Sequence, residues 1–201
     1  MKKDTAKKHV AIVHGVDTPP GEPWQDDFAW LYSLEGVEIH EIDWPSTGFF
    51  TDGAKWFLLR SYRERVIDSI FADHFFALES ADLVITHSFG QVVINAYFED
   101  LEMDPPCPIV NIAGPLTHPG LRLLFGRWRG HPASDGFAYH TILNPDDPIT
   151  ALRGHWLHNA NAQTHLVIDV DSKENEHPVN FYLEHPEVQA QILELLQGVD
   201  E

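Results

Sequence analysis

A serine set between a β-branched run and a helical pattern is the residue in this chain best placed to do chemistry. It lies in Leu83-Val84-Ile85-Thr86-His87-Ser88-Phe89-Gly90-Gln91. A very tight strand-to-helix turn there would lift the Ser88 hydroxyl above the end of a sheet, and Gly90 would let neighbouring backbone approach. The helix that follows aims its unpaired N–H groups and the positive end of its dipole at the same point. The segment therefore reads as a nucleophile elbow with Ser88 as the nucleophile. In the usual G-x-S-x-G form a small residue also precedes the serine by two; here that place is Thr86, whose branched side chain is expected to crowd the turn. The competing reading makes Ser88 a cap of the helix over Phe89 to Tyr97.

A serine hydroxyl is a weak nucleophile until a histidine takes its proton, and that histidine needs a carboxylate to hold its tautomer. After the apolar run Ala138 to Leu143 comes Asn144-Pro145-Asp146-Asp147-Pro148-Ile149-Thr150, with two carboxylates on one turn. Asp147 is preferred as the acid, with Asp146 as its alternative, because an aspartate followed by proline and an aliphatic residue resembles the form seen after the penultimate strand in enzymes with such a triad. After the run Leu166 to Val170 comes Asp171-Ser172-Lys173-Glu174-Asn175-Glu176-His177. His177 is preferred as the base, with His185 and His165 as alternatives. The order serine, acid, histidine is thus met along the chain.

A tetrahedral intermediate further needs backbone N–H donors for its oxyanion. Phe89, at the helix start, offers one. Val16 offers the other, in the turn His14-Gly15-Val16-Asp17 after the first apolar run, with Gly15 as the neighbouring possibility. His14 reads as a buried, hydrogen-bonded structural residue. A rival constellation is His155-Trp156-Leu157-His158 with His165 nearby, since a spacing of three on a helix puts both imidazoles on one face. No His-Glu-x-x-His motif accompanies it, and the serine route requires no metal or organic cofactor, so no metal site is assigned.

These residues need strands to carry them, and short apolar runs alternate with helical patterns along the chain. The runs are His9 to Val13, Val37 to Ile42, Leu83 to Thr86, Ile109 to Ile112, Ala138 to Leu143 and Leu166 to Val170. Most read as strands buried on both faces, which predicts an α/β fold with a mainly parallel sheet of about six strands. Leu59, Tyr62, Val66, Ile70 and Phe71 recur at helical spacing, opposite Arg60, Arg63, Glu64 and Asp68. Pro186 to Leu196 reads as the last helix, with Pro186 in its first turn. The stretches 115–136 and 153–163 fit neither pattern and read as insertions after strands, where binding loops belong. The first carries Leu121, Leu123, Leu124, Phe125 and Trp128 among Arg122, Arg127 and Arg129 and could form a small lid. Trp24, Trp30, Trp44 and Trp56 read as packing rather than a ligand cage.

At 201 residues the chain suits one domain over 9–201, with 1–8 as a solvated basic tail. It has 31 acidic against 13 basic residues, a formal charge of −18, and Lys2, Lys3, Lys7 and Lys8 sit at the start, so the remainder is more acidic still. Such a body repels phosphate backbones and anionic lipid heads, so nucleic acid and electrostatic membrane docking are poor partners. No apolar run is long enough to span a bilayer or to serve as a signal-peptide core, so no stable membrane insertion is expected. The single cysteine, Cys107, excludes an internal disulfide and fits a reducing compartment, which makes the cytoplasm the expected location.

Taken together, His14-Gly15-Val16, Trp44-Pro45-Ser46, Thr86-His87-Ser88-Phe89-Gly90, Asp147-Pro148 and His177 resemble the α/β-hydrolase superfamily, over nearly the whole chain. With little room for a cap domain, the chain is most similar to compact bacterial esterases and lipases. The resemblance implies hydrolysis of a carboxylic ester, thioester or amide through an acyl-serine, with a small-molecule ester as the expected substrate. It names no particular substrate, because one fold hosts many reactions. A catalytically silent member of the same fold, used as a binding module, is the alternative.

Overall fold

The computed structural model describes residues 7–16, 24–114, 139–144, 164–168 and 179–198. Six strands form one sheet: β1 (Lys8–Val13), β2 (Val37–Glu41), β3 (Leu83–His87), β4 (Ile109–Ile112), β5 (Tyr139–Leu143) and β6 (Thr164–Val167). Their order is β2-β1-β3-β4-β5-β6, and every neighbouring pair is parallel. The α/β expectation is met strand for strand. β6 opens two residues before the apolar run that predicted it, and residues 169 and 170 of that run lie outside the described residues. β1 opens at Lys8, inside the stretch read as a tail, and the Lys8 ammonium lies 3.8 Å from Asp82.

A parallel sheet needs crossovers that cover both faces, because it must bury its strands on both sides. One face carries α1 (Trp24–Asp27), α2 (Ala29–Tyr32), α6 (Val179–Leu183) and α7 (Pro186–Gly198); their Trp24, Leu31, Tyr182, Val188 and Ile192, with Phe28 between α1 and α2, pack on Val10, Ile12, Leu83 and Ile85. The opposite face carries α3 (Phe49–Leu58), α4 (Arg60–Glu79) and α5 (Gly90–Asp100), packed on Ala11, Val13, Val84 and Ile109. Val10 to Val13 are all fully buried, which is why that run shows no alternation of polar and apolar residues. β2, at the sheet edge, is only half-buried.

In α4 the predicted stripe holds at Tyr62, Val66 and Ile70 and is joined by Ile67 and Leu78, but Leu59 and Phe71 are 50% and 46% exposed. Phe71 stands about 100° around the helix from Ile70, and Leu59 is the extended residue that precedes the first turn. Both therefore leave the stripe. Trp24, Trp44 and Trp56 are buried, as their reading as packing residues requires. Among the described residues, no helix is long and apolar enough to cross a membrane.

Candidate active site

The strand order itself selects a location. From β1 the chain crosses to β2 on one side, then returns to place β3 on the other side of β1. Ligand crevices in open parallel sheets open at such a switch point, beyond the carboxyl ends of the strands. Here those ends are Val13-His14-Gly15 and His87-Ser88-Phe89, and the register sets Val13 beside Thr86.

Ser88 sits between β3 and α5 with φ of 51°. A non-glycine residue in this left-handed region costs on the order of 1–3 kcal/mol, so the surrounding structure must impose it. The Ser88 N–H donates to Ile112 O at 2.9 Å, tying the turn to β4. Phe89 is the residue that precedes α5, and its side chain makes no capping bond. Ser88 is the corner of a strained turn.

Two glycines make the corner possible. A Cβ on Gly90 would stand 2.5 Å from Val13 O and 2.7 Å from His14 O, so α5 starts pressed against the end of β1. A Cβ on Gly15 would stand 2.8 Å from Ser88 Cβ and 3.3 Å from its Oγ. The turn after β1 and the turn after β3 are therefore in direct contact at the serine.

The first turn is held by its neighbours. The Gly15 N–H donates to His14 Nδ1 at 2.8 Å, which leaves the His14 proton on Nε2, 3.0 Å from Asp27 Oδ2. His14 is buried against Trp24, Phe28 and His87, as its structural reading required. The Trp44 indole N–H donates to His14 O at 3.0 Å, and Trp44 and Trp56 enclose the Phe89 ring at 6.0 and 5.8 Å between centroids.

The loop that follows Trp44 is held by a buried carboxylate for which the chain pattern gave no sign. Asp52 accepts from Ser46 Oγ, Thr47 N, Thr47 Oγ1 and Gly48 N, at 2.6–3.0 Å, and from the Tyr62 hydroxyl at 2.9 Å. Burial alone would raise its pKa. The hydrogen bonds from Thr47, Ser46 and Tyr62 outweigh burial and hold the carboxyl below its ordinary range. Asp52 thus locks the Trp44–Gly48 stretch that supports the site.

Thr86 does not crowd the turn. It belongs to β3, fully buried, and its hydroxyl donates to Asn111 Oδ1 at 2.6 Å on the neighbouring strand, where the register aligns the two. Asn111 Nδ2 in turn donates to His140 O at 3.4 Å. A polar residue inside Ile109-Val110-Asn111-Ile112 was the available signal for this pair.

Of the residues assigned from sequence, the structure brings Ser88, Phe89 and the Gly15–Val16 turn together. Asp147, its alternative Asp146 and His177 lie outside the described residues, as do the stretch 115–136 and the histidines 155 and 158. Because β5 and β6 run parallel to β3, the chain leaves Leu143 and Val167 at the same end of the sheet as Ser88. His165 stands within β6, aligned with Thr141, rather than on a loop beyond a strand. Cys107 is no competing nucleophile: burial, with the charge of Asp82, pushes its thiol up to about 12.

No protein-family model matches the sequence, and no curated protein matches it. Solved structures do resemble the fold. A structure described as a predicted CIB-like hydrolase from Thermoplasma acidophilum shares 16% identity at a TM-score of 0.56, over 96% of this chain and 88% of that one. An esterase of Pyrococcus furiosus shares 16% at 0.54, over 96% and 82%, and a dienelactone hydrolase from Anabaena variabilis 16% at 0.53, over 97% and 86%. Identities this low speak for architecture, and with the sheet order and the strained serine corner they give the chain the α/β-hydrolase fold.

Proposed function

We propose that this chain is a serine hydrolase that cleaves a carboxylic ester through an acyl-serine. The observation that carries the reading is Ser88 in a left-handed turn at the switch point of the sheet, in contact with Gly15. Strain at a named residue in a crevice is a pointer to function when the packing around it over-determines that strain. The names of the structural neighbours, an esterase and a dienelactone hydrolase among them, support ester cleavage.

In this mechanism His177 takes the Ser88 proton as Ser88 Oγ attacks the substrate carbonyl, and Asp147 holds the imidazole in the required tautomer. The oxyanion is held by the N–H groups of Phe89 and Val16. Gly15 is disfavoured as donor because its N–H is already given to His14 Nδ1. His177 then protonates the leaving alcohol, and a water deprotonated by the same histidine releases the acid and restores Ser88. Thioester or amide cleavage would use the same groups.

The test is labelling with a fluorophosphonate and turnover of p-nitrophenyl esters from two to sixteen carbons, with Ser88→Ala as the control. Labelling at Ser88 together with turnover supports the reading, and the chain-length profile separates esterase from lipase. Absence of both in folded protein refutes it in favour of a silent binding module.

A further inference from the structure

At the end of β1 far from Ser88, three metal-ligating side chains converge. Side chains alternate faces along a strand, so His9 shares a face with Ala11 on β1, and Glu38 shares one with His40 on β2. The register sets His9 opposite Glu38 and His40 opposite Ala11. The small Ala11 leaves room beside it. The two imidazoles stack, with centroids 5.3 Å apart and planes 20° apart, and His9 Nδ1 lies 3.0 Å from His40 Nε2. One ligand atom from each of His9, Glu38 and His40 lies within 4.8 Å of the other two.

We propose that His9, Glu38 and His40 form a site for one divalent transition-metal ion, with Zn²⁺ as its representative and water completing the shell. Two imidazole nitrogens and a carboxylate oxygen form a donor set suited to zinc, nickel, cobalt or copper rather than to calcium or magnesium. A tetrahedral ion with Zn–N bonds of about 2.0–2.1 Å needs its nitrogens roughly 3.3 Å apart. The separation need open by only a few tenths of an ångström, and the rings must turn so that both nitrogens, now hydrogen-bonded to each other, face one ion.

The supporting backbone is already set. The His9 N–H donates to Asp82 Oδ2 at 2.7 Å, His9 O accepts from the Asp82 N–H at 2.8 Å, and the Lys8 N–H donates to Gly36 O at 2.9 Å. These bonds fix the backbone that carries His9 on both sides. The Lys7 ammonium, 3.3 Å from Glu38 Oε2 and largely exposed, is the competing cation. Five residues of strand, on the order of 15 Å, separate His9 from His14. An ion here would staple the edge strand β2 to β1 and take no part in chemistry at Ser88.

Tag-free, chelator-treated protein is titrated with Zn²⁺ by calorimetry and with Co²⁺ by visible absorption. The wild type is expected to bind one equivalent that His9→Gln/His40→Gln lacks, and Glu38→Gln to weaken that equivalent about 100-fold or more, beyond the 10–100-fold typical of outer-shell changes. His155→Ala/His158→Ala should retain it, and Lys7→Ala should tighten it. Zn²⁺ should raise the melting temperature of the wild type but not of Glu38→Gln, which keeps both imidazoles and the shape of the edge. Equal stoichiometry and affinity in the wild type and in Glu38→Gln, or no saturable binding to the wild type, would overturn the proposal. Neither readout depends on esterase activity.

Discussion

Replacing Gly15 by alanine tests the contact on which the site is built. The backbone at Gly15 lies outside the left-handed region, so alanine is conformationally acceptable there, and the new methyl meets Ser88 Cβ at 2.8 Å. Ordinary contact begins at 3.4 Å, so the two turns must part by about 0.6 Å. Overpacking of this kind costs about 1–3 kcal/mol. In a Ser88→Gly background both the Cβ and the Oγ are gone, and the nearest remaining neighbour is His87 O at 3.4 Å. Gly15→Ala should there be neutral or stabilising by up to about 0.5 kcal/mol, because alanine restricts the unfolded chain. Ser88→Gly alone should stabilise by about 1 kcal/mol, by relieving the φ of 51°. Urea denaturation of the four proteins reads the coupling, expected at about 1–3.5 kcal/mol. A cost for Gly15→Ala that is the same in both backgrounds would refute the contact. If Ser88 also reacts, kcat in Gly15→Ala should fall about 10- to 100-fold, since misplacing a reacting group by 1 Å can cost about 100-fold.

Further outcomes follow from three sites with buried polar groups. Asp52→Ala should destabilise by about 3–5 kcal/mol in denaturant melts, because it leaves the donors of Ser46, Thr47, Gly48 and Tyr62 around a void. The depressed pKa of Asp52 adds stability that is fully present above about pH 4, the unfolded value, and lost as pH falls through the folded one. Asp52→Asn should flatten that acid limb. Thr86→Val should cost about 1–3 kcal/mol by orphaning Asn111 Oδ1, and Thr86→Val/Asn111→Leu should recover part of it; a fully additive double variant would count against the pair. His140 is held below its ordinary pKa by burial, against the opposing pull of Glu194. The unfolded chain therefore binds the proton more readily, and stability should decline as pH drops below about 6.5. His140→Leu should reduce that decline, as read from melts at pH 7.5 and 5.5.

Much of this architecture is legible without coordinates, because a residue's local pattern and its burial have one cause. Val10 to Val13, Leu83 to Ile85 and Ile109 to Ile112 are runs that only a two-faced sheet can bury, and a serine at the end of one such run, with Gly90 two places on, already describes a sharp corner. Single residues whose partner is distant in sequence are less legible. The role of Thr86 depends on Asn111 in the next strand, that of His14 on Asp27, and that of Asp52 in part on Tyr62 in the next helix. α3 follows Gly48, whose φ of 127° suits glycine and whose N–H donates to Asp52, a start that no apolar period marks.

What the sequence alone determined is the set of strands, their burial and the identity of the corner serine, since hydrophobic period and turn chemistry are local properties of the chain. The tertiary structure decided the rest. The order β2-β1-β3 places the switch point between Gly15 and Ser88, and the register brings His9, Glu38 and His40 to one edge. Neither can be read from local pattern, because strand order and register are set by which faces pack together across many residues of intervening chain.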